Sequence, residues 1–167
     1  MIDRKGLTHA VLAIVICVVQ FMMLWSATDK LSPNPDEFAH LVAGISYWRT
    51  GEPSLYNVNP PLVRLVAALP CVLNGARVPY LDVKPDRTTR REFDYRRSFI
   101  DQNPQTAFLH LVNARRACLV FVVAGTVAVI LLGGMLVNPL DGLVAGLIWA
   151  FNPITLSVSA INSASKN

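Results

Sequence analysis

Long stretches without a charged residue dominate the pattern of hydrophobic and polar positions along the chain. Three of them, residues 7–27, 117–137 and 142–161, are 20 or 21 residues long. At about 1.5 Å per residue, a helix of that length crosses the roughly 30 Å hydrocarbon core of a bilayer. Asn152 and Pro153 interrupt the third stretch, which a membrane helix tolerates when its neighbours satisfy the freed backbone groups. The pattern therefore predicts an all-α integral membrane protein with about three transmembrane helices.

A fourth apolar segment, residues 62–73, is ambiguous. Its 12 residues reach only about 18 Å as a helix, which favours an interfacial helix near 61–74 over a span. Residues 76–116 carry nine Lys or Arg against five Asp or Glu, which would favour the cytoplasm if the segment crossed. The charge rule is weak for long loops, and residues 28–116 form one. We expect three spans, with four as the alternative.

Charges at the N-terminus set the predicted orientation. Arg4 and Lys5 hold the N-terminal end in the cytoplasm and make the first span an uncleaved signal anchor. A cleaved signal peptide is the alternative, but Trp25-Ser26-Ala27 is a poor cleavage site and the apolar run is long. The predicted order is a cytoplasmic tail at 1–6, an external loop at 28–116, a cytoplasmic turn at 138–141 and an external end at 162–167 in the cell membrane.

Composition agrees with a membrane protein and limits its partners. The chain is 53% hydrophobic and 16% charged, with a mean hydropathy of +0.41. Its net charge of +4 comes largely from residues 76–116, where membrane lipids with anionic head groups are the expected partner and nucleic acid is not. The cysteines at 17, 71 and 118 all lie in apolar segments. Their odd number and spacing argue against a disulfide framework or a zinc site.

An amphipathic helix is predicted over residues 35–50, inside the external loop. Asn34 is a suitable N-cap, Glu37 completes a capping box, and Gly51 is a natural stop. At 100° per residue, Asp36, His40 and Tyr47 share one face, while Glu37 lies near its boundary. We expect this helix to lie along the membrane surface. Its apolar face would point inward and contain Phe38, Leu41, Val42, Ile45 and Trp48.

The two acids have a plain structural interpretation, because carboxylates in a first turn complement the helix dipole. Residues 36–47 nevertheless match the motif D-E-x-x-H-x-x-x-G-x-x-Y, followed by Thr-Gly at 50–51 and by Pro-Pro-Leu-Val-Arg-Leu at 60–65. This segment resembles the first external loop of polyprenyl-phosphate-sugar-dependent glycosyltransferases of the GT-C fold. That group includes protein O-mannosyltransferases and aminoarabinose transferases. The resemblance covers about residues 7–161 and is most specific in the loop.

The resemblance implies transfer of a sugar from a polyprenyl-phosphate carrier to an acceptor protein, lipid or glycan outside the cytoplasm. By position, Asp36 is the catalytic general base, and Glu37 orients the acceptor or contacts a metal. His40 and Tyr47 are expected to bind substrate. No cofactor is required, because Glu37 and His40 alone are two ligands and make a weak case for a divalent ion.

The resemblance also implies cationic side chains near the carrier phosphate. Arg64, Arg115 and Arg116 lie at apolar boundaries where that phosphate would sit, and snorkelling to the interface is the alternative role. Gly142 and Gly146 form a G-x-x-x-G that we expect to serve helix packing.

The chain departs from the family pattern after its third predicted span. It ends in Ile-Asn-Ser-Ala-Ser-Lys-Asn in place of an acidic stretch and further spans, so it resembles the N-terminal portion of such an enzyme. The second hypothesis is a non-catalytic membrane protein. Its basic external loop would bind anionic lipid, polysaccharide or a partner subunit.

Overall fold

A computed structural model describes residues 4–52, 55, 61–78 and 92–159. Every regular element in those ranges is an α-helix. The basic residues at 79–91 and the predicted external end at 162–167 lie outside the described residues. The helices are α1 (Arg4–Ala27), α2 (Pro35–Thr50), α3 (Leu62–Leu73), α4 (Glu92–Gln102), α5 (Ala107–Leu136), α6 (Pro139–Ala150) and α7 (Pro153–Ser159).

Two of these helices, α1 and α5, are long and apolar enough to cross a membrane. Most of their apolar side chains are not covered by the rest of the chain, as a lipid-facing surface requires. Helix α5 begins at Ala107, well before the uncharged run that starts at residue 117. Arg115 and Arg116 therefore lie within a continuous helix and not at its entry.

The third predicted span is not one helix. Helix α6 ends at Ala150 and α7 begins at Pro153, because proline has no amide hydrogen to continue the helical ladder. Asn152 caps the new helix: its Oδ1 accepts a hydrogen bond from the Ile154 amide at 2.9 Å. At 12 and 7 residues, neither helix alone has the length of a span.

The segment predicted as a cytoplasmic turn, residues 138–141, is also mostly helical in the structure. Asn138 is the N-cap of α6, and its Oδ1 accepts hydrogen bonds from the amides of Leu140 and Asp141. The first turn of α6 therefore occupies most of the segment that the sequence assigns to a loop. Pro139 suits this position because its missing amide hydrogen would have no helical partner there.

The described residues form two compact units. In unit 1, residues 1–30 and 119–160, a buried polar network joins three helices. The Thr126 hydroxyl donates to Gln20 Oε1 at 2.7 Å, and Gln20 Nε2 donates to the Ala150 carbonyl at 3.3 Å. A Cβ added at Gly142 would overlap the backbone of α5, and one at Gly146 would overlap the Ile130 side chain. These glycines therefore allow close helix packing, as the sequence predicts.

Unit 2, residues 31–118, is built around α2. At Gly44 the backbone of α3 approaches so closely that a Cβ there would lie 2.5 Å from the Arg64 carbonyl oxygen. The Trp48 indole donates to the Leu65 carbonyl at 2.8 Å and joins the same two helices. From α4, the Phe99 ring packs against Phe38 with centroids 6.3 Å apart. Helices α3 and α4 thus fix the position of α2.

Candidate functional site

Helix α2 has the ends that the sequence predicts. The Asn34 side chain accepts a hydrogen bond from the Asp36 amide at 3.1 Å, and the Glu37 carboxylate accepts one from the Asn34 amide at 2.8 Å. Gly51 ends the helix with φ 73°, a left-handed conformation that glycine adopts without steric cost. These contacts fix where the acidic pair lies relative to the helix axis.

Most of the α2 face that the sequence predicts to be open is enclosed. Every residue from 37 to 46 is buried, including His40 at 3% exposure, so the helix does not present an open polar face along its length. The reason is tertiary packing, since α3 and α4 both pack on α2 and enclose positions that the helical wheel leaves open. Only the first turn and the last turns of the helix remain accessible.

Glu37 and Arg115 form a buried ion pair that joins α2 to α5. Arg115 Nε donates to Glu37 Oε1 at 2.8 Å, and Arg115 Nη2 donates to Glu37 Oε2 at 2.7 Å. Both side chains are 0% exposed. A bidentate geometry of this kind gives strong, charge-assisted hydrogen bonds.

The same guanidinium also holds the segment that precedes α2. Arg115 Nη1 donates to the Leu31 carbonyl at 2.9 Å, and Nη2 donates to the Ser32 carbonyl at 3.2 Å. With these bonds, most of the donors of a buried arginine have partners, which offsets the cost of removing the charge from water. The network therefore fixes α2, its N-terminal approach and the start of α5 together.

This network bears on the predicted substrate roles of Glu37 and Arg115, which stay predictions. Glu37 does not lie at the boundary of an open face, and its enclosed carboxylate is not placed to touch an acceptor. Arg115 is 0% exposed, and its guanidinium is bonded to Glu37 and to the carbonyls of Leu31 and Ser32. Arg64 is also buried, at 6% exposure, so neither phosphate binding nor snorkelling describes its position.

Asp36 differs from Glu37 because its side chain keeps some access to solvent. It is half-buried in the first turn of α2, and no described residue forms a hydrogen bond or ion pair with its carboxylate. Tyr47 and Arg116 are also half-buried. Of the residues predicted to contact substrate, Asp36, Tyr47 and Arg116 therefore keep some access to solvent. Within the described ranges, no group of three or more His, Cys, Asp or Glu side chains could hold a metal ion.

Asn103 is a structurally important residue that the sequence analysis did not identify. Its side chain accepts a hydrogen bond from the Arg77 amide at 3.0 Å and donates to the Arg77 carbonyl at 2.6 Å and the Phe99 carbonyl at 2.8 Å. The only local signal is the dipeptide Asn103-Pro104, which is typical of a turn. Its partner lies 26 positions away along the chain, so no local pattern could reveal the pairing.

Comparison of the chain with protein-family models, with curated proteins and with solved structures gives no match. The features that point to a function are therefore the motif at residues 36–47 and the geometry of unit 2.

Proposed function

We propose that the protein acts in membrane glycosyl transfer, moving a sugar from a polyprenyl-phosphate carrier to an acceptor outside the cytoplasm. The supporting observation is the contrast between two adjacent acids. Glu37 is fixed in a buried ion pair, while Asp36 is half-exposed with a carboxylate that no described residue engages. A general base needs an accessible carboxylate on a rigid support, and the Glu37–Arg115 pair supplies that rigidity.

In this mechanism Asp36 takes the proton of the acceptor hydroxyl as its oxygen attacks the anomeric carbon of the sugar. The bond from that carbon to the carrier phosphate breaks, and the phosphate leaves with the electron pair. The departing phosphate needs positive charge nearby, and the half-exposed Arg116 is our candidate for that role. Tyr47 is the candidate for a hydrogen bond to substrate, whereas Glu37 and Arg115 act by positioning α2.

The membrane location is part of the proposal. Two apolar helices support it, and the broken segment formed by α6 and α7 would provide a third crossing, since interrupted helices occur in membranes where neighbouring protein covers them. Ala67, Ala68 and Cys71 of α3 are buried inside unit 2, which supports a juxtamembrane helix over a fourth span.

The test replaces the proposed base. In membranes that carry the full chain, Asp36→Asn should lower transfer of a labelled sugar from polyprenyl phosphate by about 10²- to 10⁴-fold, the usual contribution of a positioned base. Asp101→Asn, a matched change at an exposed acid in α4, should leave the rate unchanged. Membrane protein level is measured alongside. A parent protein without transfer activity, or an Asp36→Asn variant at the parent rate, would contradict the proposal.

A further inference from the structure

A pocket of about 440 Å³ lies in unit 2, beside the ends of α3 and α4 and the start of α5. This volume is within the range of about 300–1,000 Å³ that is typical of small-molecule sites. Asp36, Glu37 and His40 do not line it, and neither does any other acid among the described residues. Its polar lining consists mainly of carboxamides with one arginine, at Asn74, Gln102, Gln105, Asn113 and Arg77.

The wall of this pocket is rigid because of Asn103. Its carboxamide joins the backbone of Arg77, after α3, to the last turn of α4 through three hydrogen bonds, and the side chain is only 5% exposed. Rigid walls reduce the entropy cost of binding, so a ligand would meet a largely preformed site.

Several polar groups in the pocket have no partner within the described part of the chain. The carboxamides of Gln105 and Asn113 form no hydrogen bond there. His110, which also lines the pocket, is 5% exposed, and its Nδ1 is buried without a hydrogen-bond partner. The His110 Nδ1 atom is enclosed, so the groups that a ligand in the pocket can pair with are the accessible carboxamides of Gln105 and Asn113.

We propose that this pocket binds a carbohydrate, at a site distinct from the residues around Asp36. A carboxamide donates and accepts hydrogen bonds, as a hydroxyl group does, so a cluster of carboxamides matches a ring of hydroxyls. Arg77 donates to hydroxyl oxygens, and Leu109 offers apolar surface to the C–H face of a sugar ring. A lining without carboxylates disfavours a metal cation. The proposal stands independently of sugar transfer.

Binding is measured on the purified full chain by ligand-observed NMR titration with the methyl glycosides of glucose, mannose, galactose and N-acetylglucosamine. The detergent must lack a sugar head group, because a maltoside would compete. We expect at least one glycoside to bind saturably with a millimolar Kd. Gln105→Ala combined with Asn113→Ala should weaken binding about tenfold or more, which corresponds to the loss of one or two hydrogen bonds. Neither side chain is fully buried, so the fold should persist.

A matched pair of arginine variants tests the location. Arg77→Ala should also weaken binding, whereas Arg97→Ala, an exposed arginine of α4 outside the pocket, should not. The proposal would be overturned if no glycoside bound saturably, or if the substitutions at Gln105, Asn113 and Arg77 left the Kd of the glycoside unchanged. It would also be overturned if inorganic phosphate bound in the pocket and no glycoside did. The last result would identify an anion site.

Discussion

At the scale of single residues, the adjacent acids Asp36 and Glu37 of α2 differ in burial and in their contacts. Asp36 and Glu37 are chemically similar, and both precede the same apolar run. Glu37 lies in a closed network with Arg115, whereas no residue in the described ranges pairs with the Asp36 carboxylate. The capping box could be predicted because Asn34 and Glu37 are three positions apart. The ion pair could not, because its partners are 78 positions apart and meet only in the folded chain.

This difference predicts opposite stability effects of two similar substitutions. Glu37→Gln leaves the buried Arg115 charge without its counter-ion, and we expect a loss of about 3–5 kcal/mol in the free energy of unfolding. Asp36→Asn breaks no comparable contact and should change it by less than about 0.5 kcal/mol. Denaturant unfolding of the purified protein in detergent measures both. A Glu37→Gln variant that loses less than about 0.5 kcal/mol would show that the buried pair does not stabilise unit 2.

Burial should also protect the Cys71 thiol. Burial raises the pKa of this thiol to about 12, and its Sγ donates a hydrogen bond to the His110 carbonyl oxygen, with 3.2 Å between sulfur and oxygen. Because the thiolate is the reactive form, alkylation by iodoacetamide at pH 7–8 should be negligible in the folded protein and should increase only as the pH approaches that pKa. Peptide mapping measures the labelling, with Asp101→Cys as an exposed reference. Labelling of Cys71 at the rate of that reference would contradict the burial.

At the scale of helices, features with a local cause in the sequence could be predicted, whereas features that depend on tertiary contacts could not. The ends of α2 follow from residues within a few positions, so the sequence predicts them. The break between α6 and α7 also has a local cause, the Asn152 cap and Pro153, but the apolar composition of 142–161 conceals it. The burial of α2 is different, since a helical wheel cannot show that α3 and α4 cover both its apolar and polar positions.

The approach of α2 to α3 gives a test of that packing. In Gly44→Ala the new Cβ would lie 2.5 Å from the Arg64 carbonyl oxygen and 2.9 Å from Ala68 Cβ, so the helices must move apart. We expect a loss of about 1–3 kcal/mol in the free energy of unfolding. Gly125→Ala is the control: its Cβ would meet only Trp149 Nε1, at 3.8 Å, and alanine favours a helix over glycine. A neutral Gly44→Ala would mean that the two helices are less closely packed than described.

At the scale of the whole molecule, topology decides whether the proposed site can meet its substrates. Asp36 lies outside the cytoplasm with either three or four spans, but Arg116 can reach a phosphate that departs beside Asp36 only if residues 74–116 are external as well. The three-span and four-span alternatives assign opposite sides to two exposed positions, Asp101 in α4 and Leu140 at the start of α6. With three spans Asp101 is external and Leu140 is cytoplasmic, and with four spans both assignments reverse.

A pair of variants, each with one added cysteine, separates these alternatives. On intact cells, a membrane-impermeant maleimide should label Asp101→Cys, whereas it should label Leu140→Cys only after the membrane is permeabilised. The unsubstituted protein reports any background from its own cysteines, of which Cys71 and Cys118 are buried. Labelling of Leu140→Cys but not Asp101→Cys on intact cells would establish four spans. In that case α3 would have to cross the membrane with only 12 residues, a length of about 18 Å. A bilayer accommodates so short a helix only by thinning locally. Because that thinning costs free energy and the buried side of α3 already packs in unit 2, we expect the three-span result.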